Sequence, residues 1–359
     1  MFDNTIFLLQ KHGGVSRYFY ELNNHLNRNQ PGTSWINAPL HFNQHLRDYL
    51  NPDNRNLFIP FSTDKYNFNS RIRRVSNSLA NKRLLEKSPD IIHESFYNED
   101  NIWNVNLPFV TTIHDMIREK ISYQELKSKR KKGSVNRATK IICVSENTKR
   151  DLIEIFGVSE EKITVIYVGV DNKFRVKPNI KKTNTLLYVG HRNDYKNFTT
   201  FIASYAASKD LQENFKIVAF GGGAFTKTEL DLIQELRIPN KNISQISGGD
   251  EKLVDLYNSS AALIYPSVYE GFGSPIIEAM ASGCLVFCSD MQAMREAGGL
   301  GATYFDPKDI SSILDTITST LSNDELAHNK IALGKLNSKK FSWDKCALET
   351  VDVYKSAVA

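Results

Sequence analysis

The sequence predicts an α/β protein made of two domains, each a sheet covered by helices. The chain has 359 residues, which is long for one ordinary domain and suits two of about 150–200 residues each. Short apolar runs of strand length alternate with segments of helical periodicity along most of the chain. No repeat of about 20–50 residues is visible, so the sequence does not predict a solenoid.

Composition and cysteine usage indicate a globular protein of a reducing compartment. Hydrophobic residues make up 41% of the chain and charged residues 24%. No apolar run approaches the roughly 18 residues needed to span a bilayer, and no signal-peptide core is present. The four cysteines form no C-x-x-C pair, and most lie in apolar runs: Cys143, Cys284, Cys288 and Cys346. We therefore expect buried free thiols, no metal site and a cytoplasmic location.

Positive charge is concentrated in the first half of the chain. Residues 1–170 contain 24 Lys and Arg against 18 Asp and Glu. The excess lies in two segments that favour helices: Arg71, Arg73, Arg74, Lys82 and Arg83, then Lys127, Lys129, Arg130, Lys131 and Lys132. Such a face suits peripheral contact with the anionic inner face of the plasma membrane, and a merely solvated basic surface fits equally well. No basic motif interleaved with aromatic residues accompanies it, so we do not expect a nucleic-acid partner.

The first domain begins with a glycine turn and an amphipathic helix. Gly13 and Gly14 form the turn, and apolar residues then recur at helical spacing: Val15, Tyr18, Phe19 and Leu22. Residues 29–70 are rich in Asn, Pro and aromatic residues and show weak periodicity. This stretch suggests irregular loops, so it predicts little about which molecule they would bind.

Two apolar runs then predict strands that end in polar residues. Residues 90–95 predict a strand ending at His93, and residues 107–116 predict one whose end carries His114 and Asp115. Ligands of open α/β sheets gather at the carboxyl ends of strands, which makes His114 a candidate functional residue and His93 a weaker one. Residues 138–157 then predict a strand and a helix with Ser145 as its N-cap.

The second domain opens with a strand, a tight turn and two basic residues. The strand LLYV precedes Gly190, and Arg192 and Lys196 follow it. A guanidinium fork and an ammonium group four positions apart can grip a diphosphate together. Residues 215–223 predict a strand that ends in three glycines, which is consistent with close approach of the backbone to a nucleotide.

Residues 263–283 form the densest motif of the chain. An apolar strand is followed by a loop carrying Glu270, Gly271, Phe272 and Gly273. Ser274 and Pro275 fit the N-cap and first position of a helix, and Glu278 falls in its predicted first turn. A helix N-terminus that follows a glycine loop attracts anions, and two carboxylates can bind hydroxyl groups. The motif therefore predicts a site for a phosphate-bearing ligand that also carries hydroxyl groups.

The motif resembles the E-x7-E signature of retaining glycosyltransferases of family 4. The match extends over P-S-x-x-E-G-F-G-x-P-x-x-E-A-M-A-x-G, and residues 294–307 are similar to a later segment of the family. The resemblance implies the GT-B fold, in which two Rossmann-like domains face each other across a cleft. It implies an acceptor-binding domain at 1–168 and a nucleotide-sugar-binding domain at 169–340. A C-terminal helix at 341–359, with Trp343, Leu348 and Val351 on its apolar side, would then pack back on the first domain.

The same resemblance implies roles for residues that precede the motif. Gly13 and Gly14 correspond to the family's glycine loop, which lies at the donor diphosphate and the acceptor. His114 corresponds to a histidine near the donor sugar. Arg192 and Lys196 stand where the family has two basic residues that contact the donor diphosphate.

Within and before the motif, the resemblance implies donor-binding roles for glycines and carboxylates. Glu270 would bind the transferred sugar and Glu278 the ribose hydroxyl groups. The remaining expected donor-binding residues are Gly190, Gly271, Phe272 and Gly273.

The expected reaction is a metal-independent, retaining transfer of a sugar from a UDP- or GDP-linked donor to a hydroxyl of a glycan or lipid-linked acceptor. The sequence contains no Asp-x-Asp, which argues against a metal-bridged diphosphate, and no cofactor is expected. LLQKHGGVSRYFYEL and YVGHRNDYKNF resemble bacterial enzymes of O-antigen and other surface polysaccharide synthesis.

Several other functions compete with this one. A nicotinamide enzyme would require G-x-G-x-x-G after its first strand, which Gly13 and Gly14 do not supply. A glycosidase could use Glu270 and Glu278 but would not need Arg192 beside a glycine turn. Another GT-B reaction, such as sugar-nucleotide epimerisation or phosphorolysis, and a non-catalytic nucleotide-sugar sensor stay open.

Overall fold

The computed structural model describes residues 1–47, 56–59, 66–121, 125–192 and 194–359. Contacts within the chain divide it into two compact units, one of Met1–Gly169 with Trp343–Ala359 and one of Val170–Ser342. Part of the loop-rich stretch at 29–70 and the side chain of Arg71 lie outside the described residues.

The first unit contains a four-stranded parallel sheet in the order β3-β4-β5-β6, and β1 and β2 pair separately. The strands are β1 (Leu40–His41), β2 (Leu57–Phe58), β3 (Ile92–Glu94), β4 (Phe109–Ile113), β5 (Lys140–Cys143) and β6 (Ile163–Val165). Phe2 forms parallel bridges to His93 and Ile36 beside this sheet. All five residues of β4 are buried, as expected for a parallel strand covered on both faces.

Helices precede these strands or lie between them in the chain. They are α1 (Gly14–Asn29), α2 (Tyr66–Lys87), α3 (Ile117–Lys120), α4 (Glu125–Arg137) and α5 (Glu146–Phe156). The predicted apolar face of α1 is confirmed, because Tyr18, Phe19 and Leu22 are buried. The predicted N-cap of α5 is also confirmed, because Ser145 Oγ accepts a hydrogen bond from the Thr148 N–H at 2.9 Å.

The second unit contains a six-stranded parallel sheet in the order β12-β11-β10-β7-β8-β9. Its strands are β7 (Thr183–Val189), β8 (Lys216–Phe220), β9 (Ile243–Ile246), β10 (Ser260–Tyr265), β11 (Leu285–Ser289) and β12 (Ala302–Phe305). The chain starts in the middle of this sheet at β7, runs outward through β8 and β9, and then returns to β10 on the other side of β7. The order of the strands therefore reverses between β7 and β10, and ligands of open α/β sheets bind at such a reversal.

Helices lie between these strands in the chain or follow the last of them. They are α6 (Phe198–Ala206), α7 (Lys209–Asn214), α8 (Lys227–Glu235), α9 (Asp250–Ser259), α10 (Ser274–Ala281), α11 (Gln292–Gly298), α12 (Ile310–Leu321) and α13 (Asp324–Ser338). Phe198, Phe201 and Tyr205 of α6 are buried against the sheet with Ile217 and Phe287. All four cysteines of the chain are buried and free, as predicted.

The final helix, α14 (Trp343–Val358), belongs to the first unit. Asp344 lies 2.7 Å from His25 Nδ1, and the Tyr354 hydroxyl lies 2.7 Å from His93 Nδ1. The predicted return of the C-terminal helix is therefore confirmed. The prediction that Leu348 lies on its apolar side is wrong, because this side chain is 58% exposed. The buried positions are three or four residues apart: Trp343, Cys346, Ala347, Thr350, Val353 and Ala357.

The predicted fold class, α/β with two Rossmann-like units of parallel sheet, is confirmed by this architecture. Within the described part of the chain, no helix combines the length and the apolar character that crossing a bilayer requires.

Candidate active site

The carboxyl ends of β7, β8 and β10 bring three loops of the second unit to one edge of its sheet. Backbone hydrogen bonds join the loops: the Gly190 N–H donates to the Phe220 carbonyl at 3.0 Å, and the Val268 N–H donates to the Tyr195 carbonyl at 2.8 Å. Gly190 has φ +129°, a conformation that favours glycine, as expected for the tight turn that the sequence predicts here. Gly190 and Tyr195 therefore lie beside the residues that follow β8 and β10, where the strand order reverses.

Lys196 and Glu270 meet at this edge. Lys196 Nζ lies 2.5 Å from Glu270 Oε1 and 3.3 Å from the Tyr265 hydroxyl, which itself donates to Glu270 Oε1 at 2.8 Å. The two charged side chains are 13% and 10% exposed, so they are largely shielded from water yet reachable. The structure thus brings together two residues that the sequence predicted for the same site, and it adds Tyr265.

Asn197 holds the backbone beside Lys196. It lies in the left-handed region with φ 56°, which Asn tolerates better than most residues. Its Nδ2 donates to the Pro266 carbonyl at 3.1 Å and to the Pro307 carbonyl at 2.6 Å. Because these carbonyls follow β10 and β12, Asn197 ties the Lys196 turn to the neighbouring loops.

The N-terminus of α10 differs by one residue from the prediction. Gly273, with φ +110°, is the N-cap, and Ser274 is the first helical residue, so the predicted N-cap at Ser274 is wrong. A side chain at Gly273 would be strained by this backbone conformation, and its Cβ would lie 3.1 Å from Ile276 Cδ1. The loop of Gly271 and Phe272 therefore leads directly into the positive end of the helix.

Glu278 lies in the second turn of α10, so its predicted place in the first turn is wrong. It is 8% exposed, and its Oε2 accepts a hydrogen bond from the Tyr257 hydroxyl at 3.3 Å. Tyr257 is fully buried in α9, so it fixes one oxygen of the carboxylate. A carboxylate held in this way can accept hydrogen bonds from ligand hydroxyl groups.

The Arg192 side chain points along a different direction from that of Lys196. Its Nε donates to Glu229 Oε1 at 2.6 Å, and its Nη1 donates to the Gly221 carbonyl at 2.9 Å. Its Nη2 donates to the carbonyls of Gly223 and Ala224, both at 3.0 Å. The structure therefore does not place Arg192 and Lys196 on one shared group, although the sequence predicted that they would grip a diphosphate together.

In the first unit, Gly13 and Gly14 lie at the start of α1. Gly13 is the N-cap with an extended backbone, and Gly14 is the first helical residue. Gln10 folds over this turn and accepts a hydrogen bond from the Ser16 N–H through Oε1 at 3.1 Å. A Cβ at Gly13 would overlap that amide, so the absence of a side chain makes room for Gln10.

His114 follows β4 in the same unit. Its ring lies edge-on to Tyr18 at 4.9 Å, and its backbone N–H donates to the Tyr97 hydroxyl at 3.2 Å. The pKa of His114 is lowered to about 4, mainly by burial; Asp115 opposes this shift and Lys131 adds to it. The imidazole is therefore neutral at pH 7, and its buried Nε2 has no hydrogen-bond partner among the residues that the structure describes.

His93 has both ring nitrogens engaged. Nδ1 pairs with the Tyr354 hydroxyl, and Nε2 lies 2.8 Å from Thr112 Oγ1. Burial lowers its pKa well below the usual range. His93 therefore links α14 to β4, and of the two histidines only His114 keeps a nitrogen for a ligand.

Lys131 is not part of a basic surface, contrary to the prediction. It is buried, and its Nζ donates to Glu119 Oε2 at 2.7 Å and to the Asp115 carbonyl at 2.8 Å. The ammonium group therefore fixes the backbone immediately after His114.

Sequence reasoning missed Tyr265, Asn197 and Glu229. Glu229 carried a readable signal, because Thr226 and Glu229 form the T-x-x-E pattern of a helix capping box. Tyr265 and Asn197 act through contacts between loops and left no pattern of their own. Across the described ranges, no group of three or more His, Cys, Asp or Glu side chains is arranged to hold a metal ion.

Two family models match the chain, and together they extend over most of it. The model "Glycosyl transferases group 1" matches residues 170–336, and the model "Glycosyltransferase Family 4" matches residues 12–174. These matches confirm the predicted family.

Two curated relatives act on bacterial O-antigen. O-antigen chain mannosyltransferase B of Escherichia coli is 26% identical over 271 residues, which are 68% of this chain and 70% of the relative. O-antigen chain mannosyltransferase RfbU of Salmonella typhimurium is 33% identical over 183 residues, which are half of each chain. The alignment with the second relative thus spans less than two thirds of its length.

A solved structure is similar to this chain over nearly its full length. The Anabaena protein Alr3699/HepE, determined in complex with UDP and glucose, superposes with a TM-score of 0.75 at 15% identity. The superposition covers 99% of this chain and 98% of the Anabaena chain.

Proposed function

We propose that this chain, which belongs to family 4 of the glycosyltransferases, moves a sugar from a nucleoside-diphosphate sugar to a hydroxyl group of a glycan or lipid-linked acceptor. The observation that carries the proposal is the meeting of Lys196 with Glu270 beside the N-terminus of α10, where the strand order reverses. One cation, one carboxylate and a helix N-terminus suit a ligand with a diphosphate and hydroxyl groups.

In this proposal the donor diphosphate lies against Lys196 and the backbone of Gly271, Phe272 and Gly273. These groups neutralise the negative charge that develops on the departing phosphate, and such preorganised groups are each worth about 3–4 kcal/mol. Glu270 binds the transferred sugar, and Glu278 binds the ribose hydroxyl groups. Gly190 lets the turn after β7 approach the donor closely.

We propose that the transfer retains the anomeric configuration and needs no metal. The bond between the anomeric carbon and the phosphate oxygen breaks, and the acceptor oxygen bonds to that carbon on the same face. The acceptor proton passes to the leaving phosphate oxygen, so no nucleophile from the protein is required. His114 is neutral at pH 7 and offers Nε2 for a hydrogen bond to a sugar hydroxyl.

The acceptor and pathway are proposed from the relatives. Both curated relatives are O-antigen mannosyltransferases, so we propose a role in lipopolysaccharide O-antigen or related surface polysaccharide synthesis, with mannose as the first sugar to test. The donor nucleotide is UDP or GDP. We propose that the first unit binds the acceptor.

The test is transfer from UDP- and GDP-linked sugars to a lipid-linked acceptor fraction, followed by mass spectrometry and by NMR of the product anomer. We expect one donor to be consumed only when acceptor is present, with retained configuration and with full activity in excess EDTA. Loss of activity that magnesium restores would contradict the metal-free mechanism. Conversion of the donor without acceptor would indicate epimerisation, and release by inorganic phosphate would indicate phosphorolysis.

We also propose that the protein binds the inner face of the plasma membrane peripherally through the exposed side of α2. This side presents three exposed apolar side chains, Val75, Leu79 and Leu85, with the exposed cations Arg74 and Lys82. Apolar and basic side chains on one helix face suit an anionic lipid surface. The second basic segment is less suitable, because Lys131 is buried and Lys129 pairs with Glu125 at 2.7 Å.

Co-sedimentation with vesicles tests this contact. Replacing Arg74 and Lys82 by glutamine should weaken binding to phosphatidylglycerol vesicles by about 10- to 30-fold, since each cation near an anionic surface contributes about 1 kcal/mol. Lys129→Gln is the matched control and should bind as the unchanged protein does. Equal binding to neutral vesicles, or equal losses in the control, would contradict the proposal.

A further inference from the structure

Three consecutive glycines follow β8 in an unusual backbone conformation. Gly221, Gly222 and Gly223 have φ values of +87°, +71° and +74°, all in the left-handed region. Other residues rarely adopt this region, and three in succession leave no side chain to hold the loop in place. The loop therefore needs a support from outside its own sequence.

Arg192 supplies that support from the turn after β7. Its guanidinium donates to the carbonyls of residues 221, 223 and 224, and its Cζ lies 4.9 Å from the Phe225 ring centroid. The side chain is only 3% exposed. A Cβ at Gly222 would lie 2.8 Å from Arg192 Nη1, so the glycine makes room for the guanidinium. The planar fork of arginine fits this set of carbonyls in a way that an ammonium group would not.

Glu229 fixes Arg192 in turn. It accepts the Arg192 Nε hydrogen bond, and its Oε2 accepts the Thr226 N–H at 2.6 Å. Burial alone would raise the pKa of Glu229, but hydrogen bonds from Arg192 and Thr226 hold it below the usual range. Glu229 is therefore ionised at neutral pH, and it joins the start of α8 to the guanidinium.

The supported loop borders the proposed donor site. The Gly190 N–H donates to the Phe220 carbonyl, and a Cβ at Gly221 would lie 3.6 Å from the Gly190 carbonyl oxygen. Gly190 begins the turn that leads to Lys196. Without side chains on residues 221–223, the backbone itself is the surface that this loop offers to a ligand.

We infer that Arg192 and Glu229 are positioning residues. They hold the 221–224 loop against the Gly190 turn, so that the binding site for the donor nucleotide is formed before the nucleotide binds. Arg192 thus acts on the donor through the loop and not by binding its diphosphate. The identity of the ligand in this inference rests on the proposed function. The claim that Arg192 and Glu229 support the loop depends only on the contacts described above.

A double-mutant cycle tests whether Arg192 and Glu229 act on the donor site together. We expect Arg192→Lys and Glu229→Gln each to raise the donor KM and the Kd of the matching nucleoside diphosphate about 10-fold, with kcat changed less than about 3-fold. The double variant should bind the nucleotide no more weakly than the single variant with the larger loss of affinity, because both changes release the same loop. Glu235→Gln, the same substitution at the exposed end of α8, is the matched control and should bind as the unchanged protein does.

Hydrogen exchange provides the second measurement. Peptides covering residues 221–226 should exchange faster in Arg192→Lys and Glu229→Gln than in Glu235→Gln, with folding checked by thermal denaturation. Unchanged nucleotide affinity in Glu229→Gln, or unchanged exchange of this loop, would overturn the inference and favour direct binding by Arg192. If the unchanged protein binds no nucleoside diphosphate, the proposed function fails, and the exchange measurement still decides whether the two residues hold the loop.

Discussion

Replacing Lys196 by alanine is expected to lower kcat/KM for the donor by about 100- to 1,000-fold, the usual effect of removing one preorganised group that stabilises developing charge. Lys196 Nζ pairs with Glu270 and lies at the end of the turn after β7, so its loss removes the cation proposed to face the diphosphate. It also leaves Glu270 without its ion pair in a largely buried position. Steady-state kinetics with varied donor concentration measure the effect.

Lys177→Ala is the matched control for that prediction. Lys177 Nζ pairs with Asp255 at 2.6 Å in the same unit, but both side chains are about half exposed. Exposed ion pairs contribute about 0–1 kcal/mol, so this variant should keep its transfer activity and its thermal stability. A Lys196→Ala enzyme as active as the Lys177→Ala enzyme would exclude Lys196 from the reaction.

Replacing Glu278 by alanine is expected to weaken binding of the donor nucleotide by about 10- to 100-fold, since a hydrogen bond to a charged group contributes about 1.5–3 kcal/mol. The carboxylate is mostly buried and is oriented by the hydrogen bond that its Oε2 accepts from Tyr257, and it is the group proposed to bind the ribose hydroxyl groups. Isothermal titration calorimetry measures the loss directly. Transfer should fall with it.

Tyr257→Phe distinguishes a binding role of Glu278 from a structural one. It removes the hydroxyl that orients the carboxylate but keeps the ring packed against Phe174. We expect a loss of affinity smaller than that of Glu278→Ala, with both proteins folded. A fall in melting temperature in Glu278→Ala that accounts for the whole loss of activity would favour a structural role instead.

Local sequence patterns predicted the strands and the helix from which the site is built. The strand before Gly190, the strand before Glu270 and the helix after Gly273 are each encoded by neighbouring residues, and all three are present. The N-cap was misplaced by one residue because both Gly and Ser are accepted at that position, and only the backbone conformation of Gly273 decides between them.

The partners of the basic residues could not be predicted from the sequence. Arg192 and Lys196 are four residues apart and looked alike, but Arg192 pairs with a carboxylate 37 residues away and Lys196 with one 74 residues away. Lys131 likewise stands in a run of cations, yet the packing of α3 on α4 buries it against Glu119. Spacing along the chain contains no information on such contacts, which depend on how the elements pack.

The most direct test is a calorimetric titration of UDP, GDP, ADP, dTDP and NAD into the unchanged protein and into Lys196→Ala and Glu278→Ala. We expect one nucleoside diphosphate to bind the unchanged protein, to bind both variants much more weakly, and thereby to identify the donor base. Binding of NAD alone, binding of no nucleotide, or equal affinity in all three proteins would contradict a donor site at Lys196, Glu270 and the N-terminus of α10.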